Sequence, residues 1–161
     1  MAAQLEPAED PISNEEQLYR SVPSTGGFFK VIDGQVKFSS SAFNDARFAP
    51  SVDRASLRNS PAESKLQESH GIAGLIASDA RGIQVQVLPV APTGPGFYAV
   101  DVVARPVVAG NERGLPENLA HAQIESSPHI VASKRFQKIK EALALEATKY
   151  GWVLEPESPT P

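Results

Sequence analysis

The placing of proline limits this chain more than any other feature. Fourteen of its 161 residues are proline, well above the roughly 5% of an average chain. Several lie near the ends, but Pro89, Pro92, Pro95, Pro106 and Pro116 interrupt the body. Each proline fixes φ and removes an amide donor, so none of these stretches can hold a long helix or an unbroken central strand. Short strands joined by turns are what the body can form, with a long helix only after Pro128.

The segments between the prolines carry the strand signals. Residues 17–22 alternate Leu18, Arg20 and Val22 against Tyr19 and Ser21 and stop at Pro23, which reads as a first strand. Residues 28–32 and 35–39 are apolar-rich runs separated by Asp33-Gly34. Asp-Gly is suited to a two-residue hairpin turn because both central residues must take positive φ. Residues 83–88 alternate strictly and predict a half-buried strand with Gln84 and Gln86 facing water. Phe97 to Ala104 carries the strongest strand pattern; its apolar run continues on both sides of Asp101, which places it centrally in a sheet. Asp101 there is either on a solvated face or held by a partner. Residues 119–124 form the strand that pairs with it across a polar loop at 110–118, with Leu119, His121 and Gln123 on one face.

Two helices are expected. Ser60-Pro61-Ala62-Glu63 has the form of a capping box and predicts a short helix over 61–70, closed by Gly71. Ser127-Pro128 predicts the start of the long one, running to Tyr150 with Gly151 as its C-cap. Phe136, Ile139, Leu143, Ala147 and Tyr150 recur every three or four residues and give it a buried stripe. Residues 44–59 show no clean period and read as an ordered loop or a turn of helix. Residues 72–77 are apolar and too short for period to separate strand from helix. The whole predicts an α+β fold: a mainly antiparallel sheet of about five or six short strands, packed against one long C-terminal helix and one short helix. Residues 15–154 form this single domain, with a disordered acidic arm over 1–14 and a disordered tail over 155–161.

Charge and composition narrow the function classes. Residues 1–19 hold five carboxylates and no Lys or Arg, which leaves 15 basic and 14 acidic residues in the remainder. So balanced a body lacks the basic face that broad nucleic-acid binding requires, which makes nucleic acid an unfavoured partner. There is no cysteine, which excludes disulfides, thiol nucleophiles and cysteine metal sites. The N-terminus lacks the features of a signal peptide, and no run is long enough to cross a bilayer. A soluble, cytoplasmic protein is the expectation. No phosphate-binding glycine loop, dinucleotide fingerprint or nucleophile elbow occurs. Gly94-Pro95-Gly96 does not qualify as a phosphate loop, because Pro95 removes an amide that such a loop needs.

The candidate site residues follow from side-chain chemistry. Of the three histidines, His121 is best placed for acid/base work, on a predicted strand beside the polar loop; a hydrogen-bonded, partly buried role is the plainer reading. His70 sits at a helix end and His129 in a first helical turn. No metal site is expected, since the histidine spacing matches no zinc motif, and no cofactor is implied. Arg47, Arg54 and Arg58 are candidates for an anion pocket, guanidinium being matched to carboxylate and phosphate, against ordinary pairing with Asp45, Asp53 and Glu63. The chain is also similar in layout, and in layout only, to nucleotide-cleaving transferases, in which an Arg and a Ser grip a dinucleotide and a Glu assists the sugar. The likeness would assign those parts to Arg20, Ser39 or Ser40, and Glu125.

Two functional expectations result. The first is a non-catalytic interaction or accessory module that binds a protein partner through its loop-rich end. The second is a small enzyme acting on a nucleotide or nucleic-acid end, with His121 as acid/base and Arg20 and Arg54 as clamps on a small anionic ligand.

Overall fold

Leu18 and Val22 point the same way from β1 (Gln17–Val22) and are fully buried, and the main sheet extends outward from this strand. The computed structural model describes residues 5–8, 10–86 and 97–157. β1 is followed by a separate hairpin of β2 (Phe29–Ile32) and β3 (Gln35–Phe38), then β4 (Ser51–Arg54) and β5 (Gly71–Ile76). A five-residue helix α1 (Ala77–Arg81) leads to β6 (Gln84–Gln86), β7 (Phe97–Ala104) and β8 (His121–Ser127). The chain closes with α2 (Ser133–Tyr150) and β9 (Trp152–Leu154). Seven strands form one antiparallel sheet in the order β6-β7-β8-β4-β1-β5-β9. The fold is thus the α+β architecture expected, with seven strands in the main sheet and two in a smaller one.

The local reasons are visible in each element. Asp33 and Gly34 have φ of 52° and 77°, the positive pair that the two-residue turn needs. Along β7 exposed and buried residues alternate, with Tyr98, Val100, Val102 and Ala104 inward. β7 is therefore half-buried and second from an edge, not central; Ala99 and Asp101 face out, and Asp101 pairs with Arg81 at 2.8 Å. The strand buried along its length is β5, whose Gly71 and Gly74 let the C-terminal segment lie directly on it. A Cβ at Gly71 would stand 2.8 Å from the Pro156 backbone nitrogen and 2.8 Å from the Trp152 ring.

Three expectations of local structure change. Residues 51–54, read as loop or a turn of helix, are β4, between β8 and β1. The capping box at Ser60 is formed, the Glu63 carboxylate accepting from the amides of Asn59 and Ser60, but it opens only a 3-10 turn over Pro61–Ser64. The predicted helix over 61–70 has little apolar face to bury, Leu66 is exposed, and the Leu66 amide donates to Ser21 Oγ instead. Without tertiary burial a helix this short does not offset its nucleation cost. Finally, α2 starts at Ser133 rather than at residue 128. Ile130 is buried and its amide donates to Ser126 Oγ at 3.0 Å, which directs residues 128–132 away from the helix path. His129 accordingly precedes the helix.

The core fills the space between the sheet and α2. Leu18, Val22, Val52, Leu75, Val100, Val102 and Ile124 meet Phe136, Ile139, Leu143 and Ala147 there. Tyr150, assigned to the same stripe, is 40% exposed. Part of the N-terminal segment joins the core as well. Leu5 and Ile12 are buried, and the Ala8 amide donates to the Ala104 carbonyl. The run of residues 87–96, read as a strand end and Pro/Gly loop, lies outside the described residues.

Candidate active site

The register of the sheet assembles a polar row on the face away from α2. Tyr19 is the cross-strand partner of Asp53, Asp53 of His121, and Ser51 of Gln123. Paired residues project to the same side, so Ser51, Asp53, His121 and Gln123 share one patch. Loops at 44–49, 58–66 and 107–118 rise around it and enclose a cavity of about 430 Å³. This size is suited to a small molecule.

The walls are braced from within. Asp53 ties two loops together: one carboxylate oxygen accepts from Asn118 Nδ2 at 2.9 Å, the other from Arg58 at 2.8 Å. Asp45 accepts from the amides of Arg47 and Ala49. Asn111 closes the third loop by donating to the carbonyls of Val108 and Leu115 and accepting from the Leu115 amide. Phe48 holds a left-handed φ of 58° with its ring packed on Phe136. A non-glycine residue in that region carries strain that its surroundings must sustain.

Ser51 and His121 form the reactive-looking pair. His121 Nδ1 lies 2.8 Å from the Arg105 carbonyl, and its Nε2 lies 3.0 Å from Ser51 Oγ. A carbonyl only accepts, so Nδ1 carries the ring proton and Nε2 is the acceptor for the Ser51 hydroxyl. Their supports are rigid. Arg105 donates its amide to the His121 carbonyl, and its guanidinium makes a two-pronged pair with Glu125. The Ser51 carbonyl accepts from Arg20 at 2.8 Å. Gln123 completes the patch. It is 7% exposed, and its side-chain amide makes no hydrogen bond to any described residue. No side-chain nitrogen or oxygen among those residues is both sealed from solvent and unbonded. The Gln123 amide is therefore open to the cavity it lines.

The sequence-derived candidates separate into two groups. His121, Arg20, Arg47 and Arg58 line the cavity. Arg58 is neutralised by Asp53. Arg20 donates to the carbonyls of Ala42, Asn44 and Ser51 and stacks over Phe43. Burial pulls its guanidinium down to about 10, against the opposing charge of Asp45, and it remains a cation that holds loops rather than a ligand clamp. Arg54, Glu125, Ser39 and Ser40 lie elsewhere. Arg54 makes a bidentate pair with Glu16, Glu125 is paired with Arg105, Ser39 bonds Gly27 and Ser41, and Ser40 accepts from Gln137. The transferase-like layout of Arg20, serine and Glu125 is not brought together. Ser51 and Gln123 were missed, Ser51 because its segment has no strand period. The signal available for Gln123 was its shared face with His121.

The cavity lining carries Arg20, Arg47, Arg58, Lys65 and Arg113 against Asp45, Asp53, Glu63 and Glu117, an excess of one positive charge. Arg47 and Arg113 line it on separate loops and make no ion pair among the described residues. Among those residues no group of three His, Asp or Glu side chains is placed to hold a metal ion, and no helix is long and apolar enough to cross a membrane. The chain matches no protein-family model, no curated protein and no solved structure.

Proposed function

We propose that the cavity binds a small anionic molecule rich in hydrogen-bond acceptors. The observation that carries this reading is Gln123, a residue on the cavity wall that is 7% exposed and whose side-chain amide has no hydrogen-bond partner among the described residues. Its polar atoms are not sealed from solvent, so a ligand group in the cavity can take over the hydrogen bonds that water makes there. Arg47 and Arg113 give the preference for an anion, because both guanidinium groups keep their paired donors free for a carboxylate or phosphate.

The test is a two-dimensional NMR titration of the whole chain with inorganic phosphate, a nucleoside monophosphate and a dicarboxylate. Saturable shifts are expected at the amides of Ser51, His121 and Gln123 and on the loops bearing Arg47 and Arg113. Arg113→Ala and Arg47→Ala should each weaken binding about tenfold, the scale of one lost charged hydrogen bond. Shifts that are absent, or that survive both substitutions unchanged, refute the reading. A protein partner at the loop-rich end is the second reading, favoured by Val108 and Leu119, which are both more than half exposed beside the loop. Altering residues 111–118 should then weaken partner capture while phosphate leaves the spectrum unchanged.

A further inference from the structure

Beyond binding, we infer that Ser51 and His121 are a nucleophile and general base that hydrolyse small carboxylic esters bearing an anionic group. The inference rests on the cavity being a binding site for anions. It starts from the tautomer. The Arg105 carbonyl forces the proton of His121 onto Nδ1, which leaves Nε2 bare and 3.0 Å from the Ser51 hydroxyl. A serine activated in this way needs three things: a base within hydrogen-bond reach, a group that orients the base, and space for the substrate beside the hydroxyl. All three are met here, since both residues line the cavity and Arg105 is the orienting group.

The remaining polar groups have places in the same reaction. Ser51 Oγ adds to the ester carbonyl carbon as its proton passes to His121 Nε2. The carbonyl electron pair moves onto oxygen, where the Gln123 amide, the cross-strand neighbour of Ser51, is the available donor to the developing charge. Collapse of this intermediate breaks the ester C–O bond, and the leaving alcohol takes the proton from Nε2. Water then adds to the acyl group on Ser51, giving its proton to Nε2. The second collapse releases a carboxylic acid and returns the proton to Ser51. One ester and one water become one acid and one alcohol, with the protein unchanged. Arg47 and Arg113 would hold the anionic end of the substrate, which sets the substrate class.

The pair is also unlike the second serine–histidine contact in the chain. Ser21 Oγ accepts the Leu66 amide and stands 2.8 Å from His70 Nδ1. That hydroxyl is committed to two protein groups and His70 is buried. Ser51 Oγ has the histidine as its one described partner.

The experiment is labelling of the purified full chain with a fluorophosphonate, read by intact mass and peptide mapping, alongside release of nitrophenol from 4-nitrophenyl acetate. A single adduct on Ser51 is expected. Ser51→Ala should give no adduct and release no nitrophenol above the background rate. His121→Gln should slow both labelling and ester turnover at least 100-fold, the usual share of a general base. Circular-dichroism melting of each variant separates lost reactivity from lost folding, and the wild-type adduct needs no variant. Labelling of the wild type that is absent, no faster than that of a free serine amide, or mapped to another residue overturns the inference. If phosphate shifts the cavity amides and no adduct forms, the esterase inference fails and the binding site stands. If phosphate shifts nothing, the binding reading fails, and the anionic substrate class with it.

Discussion

Removing the Glu16 carboxylate should cost about 3 kcal/mol, and the number follows from what it leaves behind. Glu16 accepts from Arg54 Nε at 3.0 Å, from Arg54 Nη2 at 2.9 Å and from Ser56 Oγ at 2.6 Å. The Arg54 and Glu16 side chains are 8% and 7% exposed. In Glu16→Ala two guanidinium donors lose their acceptor where water does not freely enter, while the hydroxyl of exposed Ser56 can turn to water. Breaking a buried pair from one side costs about 3–5 kcal/mol. Asp10 stands 3.6 Å from Arg54 but is 79% exposed, so it recovers under about 1 kcal/mol. At about 2–4 °C per kcal/mol for a chain of this length, the melting midpoint should fall by about 6–12 °C. Urea unfolding followed by tryptophan fluorescence at Trp152 measures the free energy directly. Glu16→Leu combined with Arg54→Leu should recover most of the loss, because replacing both partners leaves no stranded charge. The acid limb gives an independent check. Burial pushes the Glu16 carboxyl up, but the hydrogen bonds from Arg54 and Ser56 and the Arg54 charge outweigh it and hold the group below the ordinary carboxylate range. A folded value below the unfolded one means that the stabilisation is complete above the unfolded value of about 4.3 and is lost as pH falls from there. Glu16→Gln should therefore flatten stability below about pH 4.3. A Glu16→Ala loss below about 1 kcal/mol, or a double variant as unstable as the single one, would refute the argument.

Two further predictions test other parts of the fold. Burial, with the charge of Lys65, holds His70 below its ordinary value; the unfolded chain then takes up the proton first, so stability should decline as pH falls below about 6.5. His70→Asn should remove that slope in melts between pH 7 and pH 5, and an unchanged slope would refute it. Gly71→Ala should cost about 1–3 kcal/mol by forcing β5 away from Pro156 and Trp152, seen as a lower melting midpoint; an unchanged midpoint would show that the C-terminal strand is not seated as described.

The fold was legible where one residue type has few physical options. Asp33-Gly34 can make little besides a tight turn, and the stripe from Phe136 to Ala147 has to be covered. β4 was not legible, since Ser51, Asp53 and Arg54 give a central strand only one fully apolar residue, Val52. Its charges are tolerated there because Arg58 and Asn118 satisfy Asp53 and Glu16 satisfies Arg54. These partners are up to 65 residues away, where no local pattern shows them. The same distance explains the candidate site. His121 was found from its own chemistry, while Ser51 depends on a strand pairing across 70 residues. Arg20 and Arg54 were expected as anion clamps, but their donors are engaged by carbonyls and by Glu16.

The position of α2 in the chain also sets an order in time. Every strand of the main sheet except β9 is synthesised before Ser133, yet the stripe of Phe136, Ile139, Leu143 and Ala147 is what closes the core. The β2–β3 and β7–β8 hairpins can zip up as they emerge, because each joins neighbours in sequence. β1 must wait for β4 and β5, and the apolar side of the growing sheet stays wet until the helix arrives. A nascent chain that pauses short of Ser133 therefore presents a greasy, half-built sheet, the kind of surface that draws chaperones and promotes aggregation.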